Sequence, residues 1–86
     1  MNWELYSFVV RSGRRKSIIL SLKTPKTPTE ISKDIKASTA HVSRSLKEFL
    51  NKGLVKCLTP NARAGRVYKL TEKGQELREE LMRKEV

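Results

Sequence analysis

The chain has one cysteine, one histidine, four glycines and nine acidic residues among 86, and each scarcity excludes something. Cys57 alone cannot close an intramolecular disulfide. Cys57 and His41 together fall short of the four ligands of a structural zinc site. Cys57 therefore reads as a small strand hydrophobe. His41 has Ser43 and Ser45 as ordinary helical neighbours, and no acid is placed to orient its imidazole, so no catalytic triad is written here. Gly13, Gly53, Gly65 and Gly74 do not have the spacing of a phosphate-binding loop. No catalytic, cofactor or metal site is expected. No apolar run approaches the roughly 18 residues of a membrane span, and no signal-peptide pattern opens the sequence, so the expected location is the cytoplasm.

Acid is scarce against base: 19 Lys and Arg give a net charge of +10. So basic a small chain points to a polyanionic partner, with nucleic acid as the leading case. The charge is uneven. Residues 1–70 hold 15 of the cations and 4 of the acids, a net +11, whereas residues 71–86 carry −1. The length allows one domain, and a core so thin gains from a second subunit. The 37% hydrophobic and 33% charged content suits a folded domain rather than a disordered one.

Residues 2–11 read as a short helix, with Trp3, Tyr6 and Val10 on one face and Leu5, Phe8 and Val9 largely on another. Apolar around most of its circumference, it is expected to be buried on more than one side, one of them a subunit contact. After Ser12-Gly13 a second helix runs to about Leu22, with Ile18, Ile19 and Leu22 inward. Its first turn carries Arg14, Arg15 and Lys16, badly placed against the positive end of a helix dipole. Phosphate contact would explain them, as would a merely solvated charge run. A loop over 24–28 leads to a third helix at about 28–35, opened by Thr27, Pro28 and Glu30 as a capping box, with Ile31 and Ile35 inward. Ser38 caps a fourth helix that runs to about Lys52 and is closed by Gly53.

On this fourth helix Val42, Leu46, Phe49 and Leu50 form the apolar stripe. Ala40, Arg44, Lys47 and Asn51 point the opposite way, flanked by His41 and Ser43, with Thr39 at the tip. Small residues near the tip and cations farther along suit a helix that enters a major groove tip-first. Residues 54–59 and 66–70 read as two strands around a turn containing Arg63 and Gly65, with Arg66 opening the second strand. Thr71 then caps a last helix over about 72–84, carrying Leu77, Leu81 and Met82, with Glu79/Arg83 and Glu80/Lys84 as pairs one turn apart.

The order of these patterns over residues 14–80 resembles winged helix-turn-helix transcriptional regulators of the MarR and ArsR type, especially small archaeal ones. PTEISKDI corresponds to the first helix of the motif, STAHVSRSLKEFLNKGLV to the recognition helix and its exit, and GRVYKLTEKGQEL to the wing strand and beyond. The resemblance implies an α+β, mostly helical fold in a single domain over 1–86. A three-helix core would carry the helix-turn-helix at about 28–52, a two-stranded β-wing at about 54–71 and extra terminal helices at about 2–11 and 72–84. It also implies a homodimer, formed through the terminal helices, on double-stranded DNA. By position, Thr39, Ala40, Ser43, Arg44 and Lys47 would face the major groove, with Ser38 and His41 beside them. Arg63 and Arg66 would sit at the minor groove or on flanking phosphates. Arg14, Arg15 and Lys16 join them as candidate phosphate contacts on the strength of their charge alone, not of the resemblance. The chain departs from the family at Lys36, where the tight turn often holds Gly. A left-handed residue there would cost about 1 kcal/mol, so a differently shaped turn is expected. The terminal helices are short for the MarR type, and the paired sensor cysteines of ArsR proteins are missing, so an effector site is not expected.

Three readings remain open at this level. One is a sequence-specific DNA-binding regulator. A second is a nonspecific architectural binder of DNA or RNA, since backbone contacts carry no sequence information. The third is a winged-helix protein-interaction module, because fold does not fix function.

Overall fold

Residues 2–84, described by the computed structural model, run through α1 (Trp3–Val10), α2 (Gly13–Ser21), α3 (Pro28–Ile35), α4 (Thr39–Asn51), β1 (Val55–Cys57), β2 (Tyr68–Leu70) and α5 (Glu72–Lys84). Local chemistry sets most of these boundaries. The Asn2, Ser12, Thr27 and Ser38 side chains each accept a backbone N–H in the first turn of α1 to α4, satisfying donors that have no partner inside the helix. At α3 the box is reciprocal: Thr27 Oγ1 accepts from the Glu30 N–H, and Glu30 Oε1 accepts from the Thr27 N–H.

The turn between α3 and α4 corrects one expectation. Lys36 does adopt the left-handed conformation, with φ 56° and ψ 46°. The Ala37 N–H donates to the Ser32 carbonyl at 3.1 Å, the hydrogen bond that wraps a helix end around a left-handed residue. With Ile35 and Ala37 packed against the core on either side, the turn keeps its tight shape and Lys36 bears the strain.

The core lies where α2, α3, α4 and α5 meet the two strands. Ile18, Ile19, Leu22, Ile31, Val42, Leu46, Phe49, Leu54, Leu70, Leu77 and Leu81 are all fully buried. Each such side chain contributes about 1.5–3 kcal/mol relative to exposure. Along α4 the buried stripe is Val42, Ser45, Leu46 and Phe49, not the expected set ending in Leu50. Leu50 is 38% exposed because the helix phase turns it out toward the wing. Ile35 is only partly buried, and Met82 lies outside the core.

The wing strands pair antiparallel with Val55 opposite Leu70 and Cys57 opposite Tyr68. Both are shorter than the sequence pattern suggests. Beyond them the hairpin continues through the Leu58 N–H to the Val67 carbonyl and the Val67 N–H to Thr59 Oγ1. The segment before α3, read as plain loop, adds a further pairing. Lys26 and Tyr68 exchange both backbone hydrogen bonds, at 3.0 and 2.8 Å, and so fix the base of the wing beside α3.

α5 returns across the core and ties the wing to the exit of α4. Thr71 Oγ1 donates to the Gly53 carbonyl at 2.6 Å and accepts from the Gly74 N–H. Gly74 lies against Leu54 so closely that a Cβ would stand 2.2 Å from the Leu54 carbonyl oxygen. Arg78 Nε caps the end of α2 through the Leu20 carbonyl. Near its own end, Arg83 pairs with Glu80 at 2.8 Å rather than with Glu79, and the Lys84 ammonium lies over the Trp3 and Tyr6 rings. On α1 only Val9 is fully buried. Leu5, Tyr6 and Phe8 are partly covered, and Trp3 and Val10 are exposed. Within one chain this helix is therefore buried on one side, not two.

Candidate nucleic-acid interface

The exposed face of α4 and the wing form the two walls of an open cleft of about 570 Å³. α4 contributes Thr39, Ser43 and Lys47, spaced one helical turn apart along one line. The opposite wall is the wing turn, with Arg63 and Arg66 beside Ala64 and Gly65. Pro28 and Thr29 at the start of α3, with Leu50 and Tyr68, complete the lining. The cleft is cationic: Lys47, Arg63 and Arg66 line it, and no acidic residue does. Arg66 also shapes its own wall. Its Nε donates to the Ala62 carbonyl at 2.7 Å, which closes the wing turn around Gly65 at φ 66°.

Five of the residues picked from sequence, Thr39, Ser43, Lys47, Arg63 and Arg66, are brought together here. Ala40 and Arg44 are exposed on the same helix. Ser38 and His41 lie on its other flank, where they line a different cleft with Arg14. Arg15 faces the protein. Its guanidinium lies over the Phe8 ring, donates to the Phe8 carbonyl at 3.0 Å and pairs with Glu48 at 3.3 Å. Lys16 is half-buried on α2. Sequence patterns missed Thr29, Leu50 and Tyr68 as lining residues. The signal for Leu50 was its place one turn beyond Lys47. Nothing local pointed to Thr29, which joins the cleft only through the packing of α3 on α4.

Electrostatics beside the cleft are simple. The Glu30 carboxyl is held below its ordinary value, mainly by the hydrogen bond from the Thr27 backbone and then by the Thr27 hydroxyl, with a smaller contribution from Lys26. Among the described residues no group of three His, Cys, Asp or Glu side chains is placed to hold a metal ion, and no helix is long and apolar enough to cross a membrane.

A three-helix core, a tight turn into an exposed helix and a β-hairpin beside it define a winged helix-turn-helix domain. Its structural neighbours are winged-helix regulators of the MarR family. The adhesin competence repressor AdcR of Streptococcus pyogenes superposes with a TM-score of 0.75 at 21% identity, over 86% of this chain and 57% of that one. ZitR of Lactococcus lactis in complex with DNA gives 0.73 at 25% identity, over 81% and 49%. A MarR variant from E. coli complexed with operator DNA gives 0.74 at 25% identity, over 93% and 59%. The chain thus spans about half to three-fifths of the length of these neighbours. They lend no support to the archaeal part of the likeness. No family model matches the sequence, and no curated protein matches it either.

Proposed function

We propose that the chain is a sequence-specific, double-stranded-DNA-binding transcriptional regulator that acts as a homodimer and performs no catalysis. The observation that carries this is the acid-free cleft in which Thr39, Ser43 and Lys47 of α4 face Arg63 and Arg66 of the wing. In this reading α4 enters the major groove with its tip toward base edges. Arg44 supplies a forked donor that matches guanine O6 and N7, and Lys47 and the wing arginines neutralise phosphates at or beside the minor groove. Neighbours of this fold solved in complex with DNA support the DNA-binding part of this reading. Its place of action in this reading is the cytoplasm.

Dimerisation is assigned to the terminal helices, whose Trp3, Val10 and Met82 are 56%, 39% and 47% exposed. Two copies would present their recognition helices to half-sites about one DNA turn, roughly 34 Å, apart. Sedimentation of the wild type against a Trp3→Ser variant tests this part, and a wild type that stays monomeric at high concentration overturns it.

The groove reading is tested with Lys47→Ala, Arg63→Ala and Arg66→Ala. Each is expected to lower the slope of log affinity against log salt by about 0.9, as loss of one phosphate contact does. Unchanged slopes in all three would remove the cleft from the interface.

A further inference from the structure

A second cleft, of about 510 Å³, lies on the other flank of the α4 tip. Three elements converge on it. α2 contributes Arg14 and Ser17, the turn into α4 contributes Lys36, and α4 contributes His41. No acidic residue lines it. The acids of the adjoining helices are engaged elsewhere: Asp34 pairs with Lys26, Glu30 closes the α3 capping box, and Glu48 pairs with Arg15. The Arg14 and Lys36 side chains are exposed, and among the described residues neither takes part in an ion pair or side-chain hydrogen bond. Lys36 occupies a left-handed position that glycine would adopt without strain. A glycine there would take away the only cation that the turn offers to this cleft.

We propose that this cleft is a second phosphate site. It would take a backbone phosphodiester of the duplex on the strand opposite the one met by the wing. The proposal rests on the DNA-binding reading above. An α-helix with its side chains is about 10–12 Å across, and the major groove is about 12 Å wide, so a recognition helix lying in the groove faces a phosphate strand on each flank. Thr39 lines the wing cleft and His41 lines this one. Two residues apart on a helix of 3.6 residues per turn, they point about 200° apart. The two clefts are therefore directed to the two strands. Arg14 brings a planar fork of donors suited to phosphate oxygens, and Lys36 brings a point charge.

The test uses the full chain and two duplexes, one selected for tight binding and one random, titrated across a salt series. Arg14→Ala and Lys36→Gly are each expected to lower the salt slope by about 0.9, equally on both duplexes. Lys36→Gly is expected to do so without loss of thermal stability, because it relieves the left-handed strain. That combination separates a phosphate contact from a structural role. If the wild type binds and both variants keep its slope, the second site is overturned and the DNA reading stands. A loss confined to the selected duplex makes these residues base readers and also overturns the phosphate role. A wild type that binds neither duplex overturns both proposals together.

Discussion

The guanidinium of Arg15 lies 3.9 Å from the centre of the Phe8 ring. Lys52 approaches the same ring at 4.5 Å, and Phe49 meets it edge-on at 6.3 Å between centroids. With the bonds from Arg15 to the Phe8 carbonyl and to Glu48, this packing joins α1, α2 and the far half of α4. Arg15 thus braces α4 from behind. Arg15→Ala is expected to lower stability by about 1–3 kcal/mol, the scale of charged hydrogen bonds and a partly buried cation–π contact. The salt slope of DNA binding should not change. Chemical denaturation beside a salt series checks both halves. An unchanged stability with a reduced slope would return Arg15 to the phosphate surface.

Gly74 is the most closely packed of the four glycines. Any side chain there meets the Leu54 carbonyl and the Leu70 side chain, and relief would require α5 to move away from the exit of α4. Gly74→Ala is expected to destabilise by about 1–3 kcal/mol or more, as overpacking against backbone does. Thermal unfolding measures it. Gly13, where an added Cβ would meet nothing within 4 Å, is the control, and Gly13→Ala should change stability far less.

Much of this is readable from residues alone, for identifiable reasons. The α3 boundaries follow from Thr27, Pro28 and Glu30, which act within one turn of chain, and so the expected span of 28–35 matches Pro28–Ile35. The last helix is equally legible. Where long-range packing decides, the sequence is silent or misleading. The pairing of Lys26 with Tyr68 joins segments 42 residues apart and leaves no local pattern. Arg15 looks like its neighbour Arg14 until the fold places Phe8 and Glu48 around it. Lys36 is expected to avoid the left-handed region, yet closure of the turn by Ala37 and Ser32 holds it there. Of the candidate interface, the recognition-helix residues and wing arginines are legible, whereas their meeting in one cleft is not.

The α3 capping box gives a pH dependence with a definite sign. The folded-state pKa of Glu30 lies below its ordinary value because the carboxylate accepts from Thr27. Its contribution to stability is therefore present above the unfolded-state value and is lost as pH falls through the folded-state one. Glu30→Gln, which removes the titrating group and keeps an acceptor for the Thr27 N–H, is expected to flatten the acid limb of the stability curve. Denaturation midpoints from acid to neutral pH for the two proteins provide the check; parallel curves would mean that Glu30 gains nothing from the box.

Arg44 separates base reading from charge. It is exposed on the helix face opposite the core, so its loss should leave the fold intact. Arg44→Ala is expected to relax the preference at one base pair by about 1–3 kcal/mol while affinity for random duplex falls little. Binding to a panel of single-base operator variants measures this, and an unaltered preference at every position excludes direct readout by Arg44.

The most direct test of the DNA-regulator proposal is the ratio of affinities for a duplex obtained by in vitro selection and a random duplex of the same length, at one fixed salt concentration. A sequence-specific regulator should bind the selected site at least about 10³-fold more tightly. Equal affinities would contradict specificity and leave a backbone binder, and no binding to either duplex would contradict the DNA-binding function itself.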